Sequence, residues 1–172
     1  MAETITEKEE FTDKREARRS LSGLDYMRKL MTGELPRSGL VELMNLNLVE
    51  VSEGHAVFTV HPDERHYNGL GIAHGGLAAT LLDTATGCAI NSMMPAGKIF
   101  ATLEMKVNYV RPITRESGEV RCEGKVIHVG GKFATAEGRI TDESGRLYAH
   151  GTATCALYRS QSGGEDREWR SQ

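Results

Sequence analysis

The sequence predicts an α+β domain in which an antiparallel sheet of five or six strands wraps around one long central helix. Three observations carry this expectation. Residues 75–91 are apolar nearly all round, with Leu77, Leu81, Ala85 and Cys88 on one stripe and Ala78, Leu82 and Ala89 on another, so a buried helix is expected there. On both sides of it the hydrophobic period falls to two, the spacing of half-buried strands. Glycine-bearing turns separate several of those strands at intervals suited to antiparallel connections.

In chain order, residues 1–20 are dominated by Glu, Lys, Arg, Thr and Asp, which predicts a solvated, partly disordered arm or a charged surface helix. Leu24, Met27, Leu30 and Met31 then recur at helical spacing, and Gly33 followed by Pro36 supplies a stop. A further helical turn is expected around residues 40–44. From Asn45 the alternation Leu46, Leu48, then Val49, Val51 after a slip, and Ala56, Phe58, Val60 beyond Glu53-Gly54 predicts a hairpin with a bulge near Leu48-Val49. Beyond the helix, residues 100–110 alternate Ala101, Leu103, Met105, Val107 and Tyr109 with Thr102, Glu104, Lys106 and Asn108, a half-buried strand that turns Thr102 away from the face burying Leu103. Strands over 119–129, 132–142 and 146–158 follow, joined by Gly130-Gly131 and Glu143-Ser144-Gly145. The last four strands are expected to run as a meander. The chain thus divides into an arm with its short helix (1–35), one main domain (36–159) and a polar tail expected to be disordered (160–172).

Composition narrows the function. The chain has 172 residues, 39% of them hydrophobic, enough for one domain with its own core. A net charge of -3 gives no reason to expect a nucleic-acid-binding face. The acidic start and the lack of any run of eighteen apolar residues argue against secretion and membrane insertion. Cys88, Cys122 and Cys155 are odd in number and form no CxxC pair, so neither a disulfide framework nor a zinc site is signalled, and a cytoplasmic location is expected. His61, His66 and His74 with Asp63 match no ligand spacing, so no metal and no other cofactor is expected.

Chemistry concentrates in residues 66–91. Asp83 is the only formally charged side chain between His74 and Lys98. An isolated carboxylate on a buried helix costs many kcal/mol unless it is used or paired. Hydroxyls at Thr80 or Thr84 would satisfy it; alternatively it acts as nucleophile or general base. Gly75-Gly76 opens the helix, where the first N–H groups lack intrahelical partners and can approach a developing oxyanion. The same glycines would also permit close helix packing. Asn68, on the preceding turn, either holds a substrate carbonyl or caps the turn. Eight residues at about 1.5 Å each place Gly75 and Asp83 roughly 12 Å apart along one helix. If both act on one carbon, the carboxylate comes from a second copy with its helix antiparallel, which predicts a dimer or dimer of dimers.

Taken together, Asn68-x-x-Gly71-x-x-His74-Gly75-Gly76 followed by Asp83, on one long helix between a hairpin and four strands, resembles the hot-dog-fold acyl-CoA thioesterases of the phenylacetic-acid-degradation (PaaI-like) type. The likeness spans roughly residues 40–158. It implies hydrolysis of an acyl- or aroyl-CoA to free acid and CoA, with CoA thioester as substrate and no cofactor. It assigns Asp83 as nucleophile or base, Asn68 to the water or thioester carbonyl, Gly75 to the oxyanion across a subunit interface, and His74 to fixing the turn. Thr102 matches an assisting Ser or Thr. The CoA arm is expected at Tyr109 and Arg111 and along His128, Val129, Gly130, Gly131, Lys132 and Phe133, where glycine N–H groups and the Lys132 cation suit phosphate. Leu77, Leu81, Met93, Met94 and Phe58 are either acyl-pocket or core residues. The competing readings are a non-catalytic acyl-CoA-binding module and a hot-dog hydratase or dehydratase using a His proton shuttle.

Overall fold

The computed structural model describes residues 16–159. Its elements are helices α1 (Gly23–Thr32), α2 (Gly39–Leu43) and α3 (Gly75–Ser92), and strands β1 (Asn47–Ser52), β2 (His55–Val60), β3 (Lys98–Tyr109), β4 (Val120–Val129), β5 (Phe133–Asp142) and β6 (Leu147–Arg159). All six strands form one antiparallel sheet in the order β1-β2-β4-β5-β6-β3, and α3 lies against its concave face. The predicted hot-dog arrangement is present. Among the described residues no helix is long and apolar enough to cross a membrane. Residues 16–20 are helical; the rest of the arm and the tail from residue 160 lie outside the described residues.

The strand order corrects the expected meander. Of the last four strands only β4, β5 and β6 follow one another; β4 pairs back onto β2, and β3 crosses to the far edge beside β6. The crossing puts strands on both sides of α3 and seals Leu77, Leu81 and Leu82 completely. Each such side chain contributes about 1.5–3 kcal/mol relative to exposure.

Three glycines let the sheet bend this tightly. Ala56, Gly124, Gly138, Gly151 and Val107 face one another in a row across five strands. A Cβ on Gly124 would lie 2.3 Å from the Ala85 carbonyl oxygen, and one on Gly138 would lie 2.8 Å from the Leu82 side chain. The row is a furrow into which α3 settles.

Helix α1 begins at Ser22, whose hydroxyl accepts from the Asp25 N–H at 3.1 Å, and ends at Gly33, which takes a left-handed conformation with φ 80°. It docks backbone to backbone on the end of α3. The Gly23 N–H donates to the Met94 carbonyl at 2.8 Å, and a Cβ on Gly23 would collide with the Asn91 carbonyl. Tyr26 and Met27 are buried under it.

The hairpin bulge is found where the sequence placed it, between Leu48 and Glu50. A second bulge, between Thr102 and Glu104, was not anticipated. It pushes Leu103 outward, 56% exposed, and reverses the phase of everything before it. Phe100 and Thr102 therefore share the helix-facing side with Met105 and Val107, which corrects the expectation that Thr102 points away.

Candidate active site

The start of α3 is built by the turn that precedes it. Asp63 opens a short 3-10 turn over Glu64–His66. The buried His66 ring accepts the Asp63 N–H at Nδ1 (3.0 Å) and, with its proton on Nε2, donates to the Met44 carbonyl (3.1 Å). The His66 carbonyl in turn accepts from the His74 N–H at 2.7 Å. The Arg65 guanidinium holds the Asp63 carboxyl at about 2. His66, set aside as a metal ligand in the sequence, is thus a fixing residue of this turn; its neighbour Asp63, an Asx-type cap, is the signal that was legible. Among the described residues no group of three or more His, Cys, Asp or Glu is placed to hold a metal.

His74 caps α3. Its Nδ1 accepts the Gly76 N–H at 2.9 Å, which leaves the Gly75 N–H with no hydrogen-bond partner among the described residues. An unpaired N–H at a helix start, backed by the helix dipole, suits a forming oxyanion. The Gly75 carbonyl accepts from the Tyr109 hydroxyl at 3.2 Å, and the ring lies so close that a Cβ on Gly75 would stand 3.3 Å from it. Asn68 divides its amide: Oδ1 accepts from the Leu70 N–H at 2.9 Å and so caps the turn, while Nδ2 has no partner among the described residues. Asn68, His74, Gly75, Tyr109 and Arg111 line one open cleft of about 360 Å³.

Asp83 stands elsewhere, two turns further along α3 and half-buried rather than enclosed. Neither Thr80 nor Thr84 satisfies it. Instead Thr102 donates to Oδ1 at 2.8 Å, a bond that the Leu103 bulge makes possible. The Thr102 hydroxyl also touches the Cys155 sulfur at 3.8 Å. The thiols offer no nucleophile. Burial pushes Cys88 up to about 12, and it raises Cys122 and Cys155 as well.

The residues expected to hold CoA separate into two groups. Tyr109 and Arg111 belong to the Gly75 cleft, where an Arg111 guanidinium N–H donates to the Leu147 carbonyl at 2.6 Å. His128, Val129, Gly130, Gly131, Lys132 and Phe133 form the β4–β5 connection at the opposite end of the sheet, beside β6 and in line with Ala101 of β3. The Gly130 N–H is taken by the Phe133 carbonyl at 2.8 Å, so Gly130 is no phosphate donor in this geometry. The Lys132 side chain is exposed.

Comparison with known proteins agrees with this architecture. The thioesterase superfamily matches residues 70–149. A conserved protein of Pseudomonas aeruginosa of known structure is 31% identical, with 71% of this chain and 95% of that one covered and a TM-score of 0.67. The 1,4-dihydroxy-2-naphthoyl-CoA hydrolase of Listeria monocytogenes is 27% identical over 69% of this chain and 95% of its own length. The PaaI protein of the E. coli phenylacetic acid degradation operon is 22% identical with a TM-score of 0.68, covering 84% and 98% of the two chains, a likeness of fold. A six-stranded sheet wrapped on one glycine-opened helix defines a hot-dog protein of PaaI-like architecture. The chain belongs to the thioesterase superfamily and is a thioester hydrolase.

Proposed function

We propose that the chain hydrolyses the thioester of an acyl- or aroyl-CoA, in a site assembled from two copies. Asp83 and Thr102 come from one protomer; Gly75, Asn68 and His74 come from its partner. Support comes above all from the division of these groups within one chain. Asp83 and the Gly75 N–H are about 12 Å apart along α3, too far to serve one reacting carbon. Both lie against β3, whose outer edge pairs with no strand among the described residues. A second copy apposed antiparallel along that edge brings each half to the other's complement.

In such a site the Gly75 N–H and the helix dipole take the negative charge that grows on the thioester oxygen. The Asn68 Nδ2 holds the carbonyl or the attacking water, and Asp83, steadied by Thr102, attacks directly or removes the water proton. When water attacks, expulsion of the CoA thiolate completes hydrolysis; when Asp83 attacks, it leaves an acyl-Asp83 anhydride, which water then cleaves to the free acid and the restored carboxylate. His74, with Nδ1 engaged in capping, sets the turn rather than shuttling a proton. The CoA arm leaves past Tyr109 and Arg111 of one copy and Lys132 of the other, since apposition brings the two CoA groups to the same end.

The test is complementation. Asp83→Asn lowers kcat by about three orders of magnitude with its melting temperature unchanged, and Asn68→Ala is likewise impaired. Unfolding the two inactive variants together and refolding them as a mixture restores about a quarter of wild-type activity, because half the dimers carry one intact composite site. No recovery, with mixed dimers verified by native mass spectrometry, refutes the shared site.

A further inference from the structure

Tyr109 ends β3 beside the start of α3, and packing does not explain its placement. It is 59% exposed, so little apolar surface is removed from water there. The strand end is nevertheless fastened. The N–H groups of Val110 and Arg111, which follow Tyr109, both donate to the Tyr148 carbonyl, at 2.8 and 3.0 Å, and the Arg111 guanidinium donates to the Leu147 carbonyl. From this fixed point the side chain reaches over the opening of α3. Its hydroxyl donates to the Gly75 carbonyl at 3.2 Å, and ring atoms Cε1 and Cζ stand 3.3 Å from where a Gly75 Cβ would be.

Gly75 is the residue of this helix that most needs holding. The first turn of a helix lacks the bonds that stiffen later turns, and glycine has the widest backbone freedom of any residue. An oxyanion donor must instead keep its direction before the charge arrives. His74 meets part of this demand by accepting the Gly76 N–H on its Nδ1 at 2.9 Å, but it makes no bond to Gly75. A helical carbonyl spends one lone pair along the axis and keeps a second. On Gly75 the Tyr109 hydroxyl fills that second position.

We infer that Tyr109 is a positioning residue for hydrolysis: it fastens the Gly75 carbonyl to β3 and thereby aims the Gly75 N–H at the forming oxyanion. This role is separate from bordering the CoA arm. It also dictates glycine at position 75, because a methyl group there would push the ring away and open the hydroxyl bond. β3 then positions both halves of the chemistry, through Thr102 on Asp83 and through Tyr109 on Gly75. The inference rests on the reading of Gly75 as the oxyanion donor.

Tyr109→Phe keeps the ring and removes the hydroxyl. With benzoyl-CoA and octanoyl-CoA, thiol release is expected to show kcat about three- to tenfold lower, the weight of one lost neutral hydrogen bond, and KM within about twofold of wild type. The Gly75 amide, followed by isotope-edited NMR in the same variant, is expected to shift and to exchange faster with solvent. Gly75→Ala is expected to lower kcat in wild type and to add nothing in a Tyr109→Ala background, where no ring meets the methyl group. A raised KM at unchanged kcat with an unmoved Gly75 amide makes Tyr109 a CoA contact only and overturns the inference, as does an unmoved amide by itself or an additive loss in the double variant. A Gly75 amide that moves without a fall in kcat, or in a protein that turns over neither thioester, upholds the fastening and overturns the hydrolytic role of Gly75 instead. Tyr109→Phe decides the matter even if a Gly75 variant misfolds.

Discussion

Thr102→Val tests whether the bulge in β3 matters to catalysis. Valine keeps the branched shape, the strand propensity and the contact with Cys155, and removes only the hydroxyl that donates to Asp83 at 2.8 Å. A hydrogen bond to a charged group is worth about 1.5–3 kcal/mol when dry. Thr102 is exposed in the protomer, so about 1–2 kcal/mol is the fitting range. If the bond holds the carboxylate in its attacking position, that loss lowers kcat by about five- to thirtyfold, at about 1.4 kcal/mol per factor of ten. KM should move little, because no binding contact is removed. Thr102→Ser retains the donor and should recover most of the rate. Thiol release from a CoA thioester reads both constants, and a melting curve confirms the fold. Full kcat in the valine variant, or failure of serine to recover it, refutes the argument that Thr102 positions Asp83.

Three further outcomes follow from the packing and the charges. Gly124→Ala places a Cβ 2.3 Å from the Ala85 carbonyl oxygen, so α3 must rise from the sheet; a loss of about 3 kcal/mol and a melting temperature lower by roughly 10 °C are expected, and an unchanged melt would mean that the furrow is not a close contact. Cys88, with its thiol pushed up to about 12 by burial, should react with a disulfide reagent at pH 8 only after denaturation, which mass spectrometry of the labelled chain will show. Asp142 is held at about 2, first by the Ser144 hydroxyl, then by the Arg146 and Ser144 N–H groups and the Tyr148 hydroxyl. Its folded value lies below its unfolded one near 3.9, so its contribution is full above about pH 4 and disappears as pH falls through 2. Urea midpoints taken from pH 5 to pH 2 should therefore fall less steeply in Asp142→Asn.

Periodicity alone carried most of the fold. The all-round apolar helix, the hairpin slip at Val49 and the glycine turns each follow from local chemistry, and each stands where the sequence placed it. Two features lay beyond that reach. Residues 100–110 alternate so regularly that nothing marks Leu103 as a bulge. The extra residue is set by how β3 must meet both β6 and Asp83, which is a tertiary demand. The crossing of β3 to the far edge is likewise invisible locally, because neighbours in sequence are usually neighbours in a sheet and the connection of ten residues before β4 permits either course. In the site, the Asn68-to-Asp83 motif named the chemistry, but which of the two Asn68 amide atoms is spent on the turn needed coordinates.

The strand order also says when, during folding, the Asp83–Thr102 pair can form. β3 finds its only described partner in β6, the last strand of the domain, so Thr102 waits on Cys155 fifty-three residues later. The β4-β5-β6 hairpins have short loops and can close early, whereas β3 pays the entropy of a long loop and joins late. A chain emerging from the ribosome thus carries its helix and its edge strand well before they can be aligned. Loss of the final strand would leave Asp83 without its neighbour, although no residue of that strand touches Asp83 by hydrogen bond.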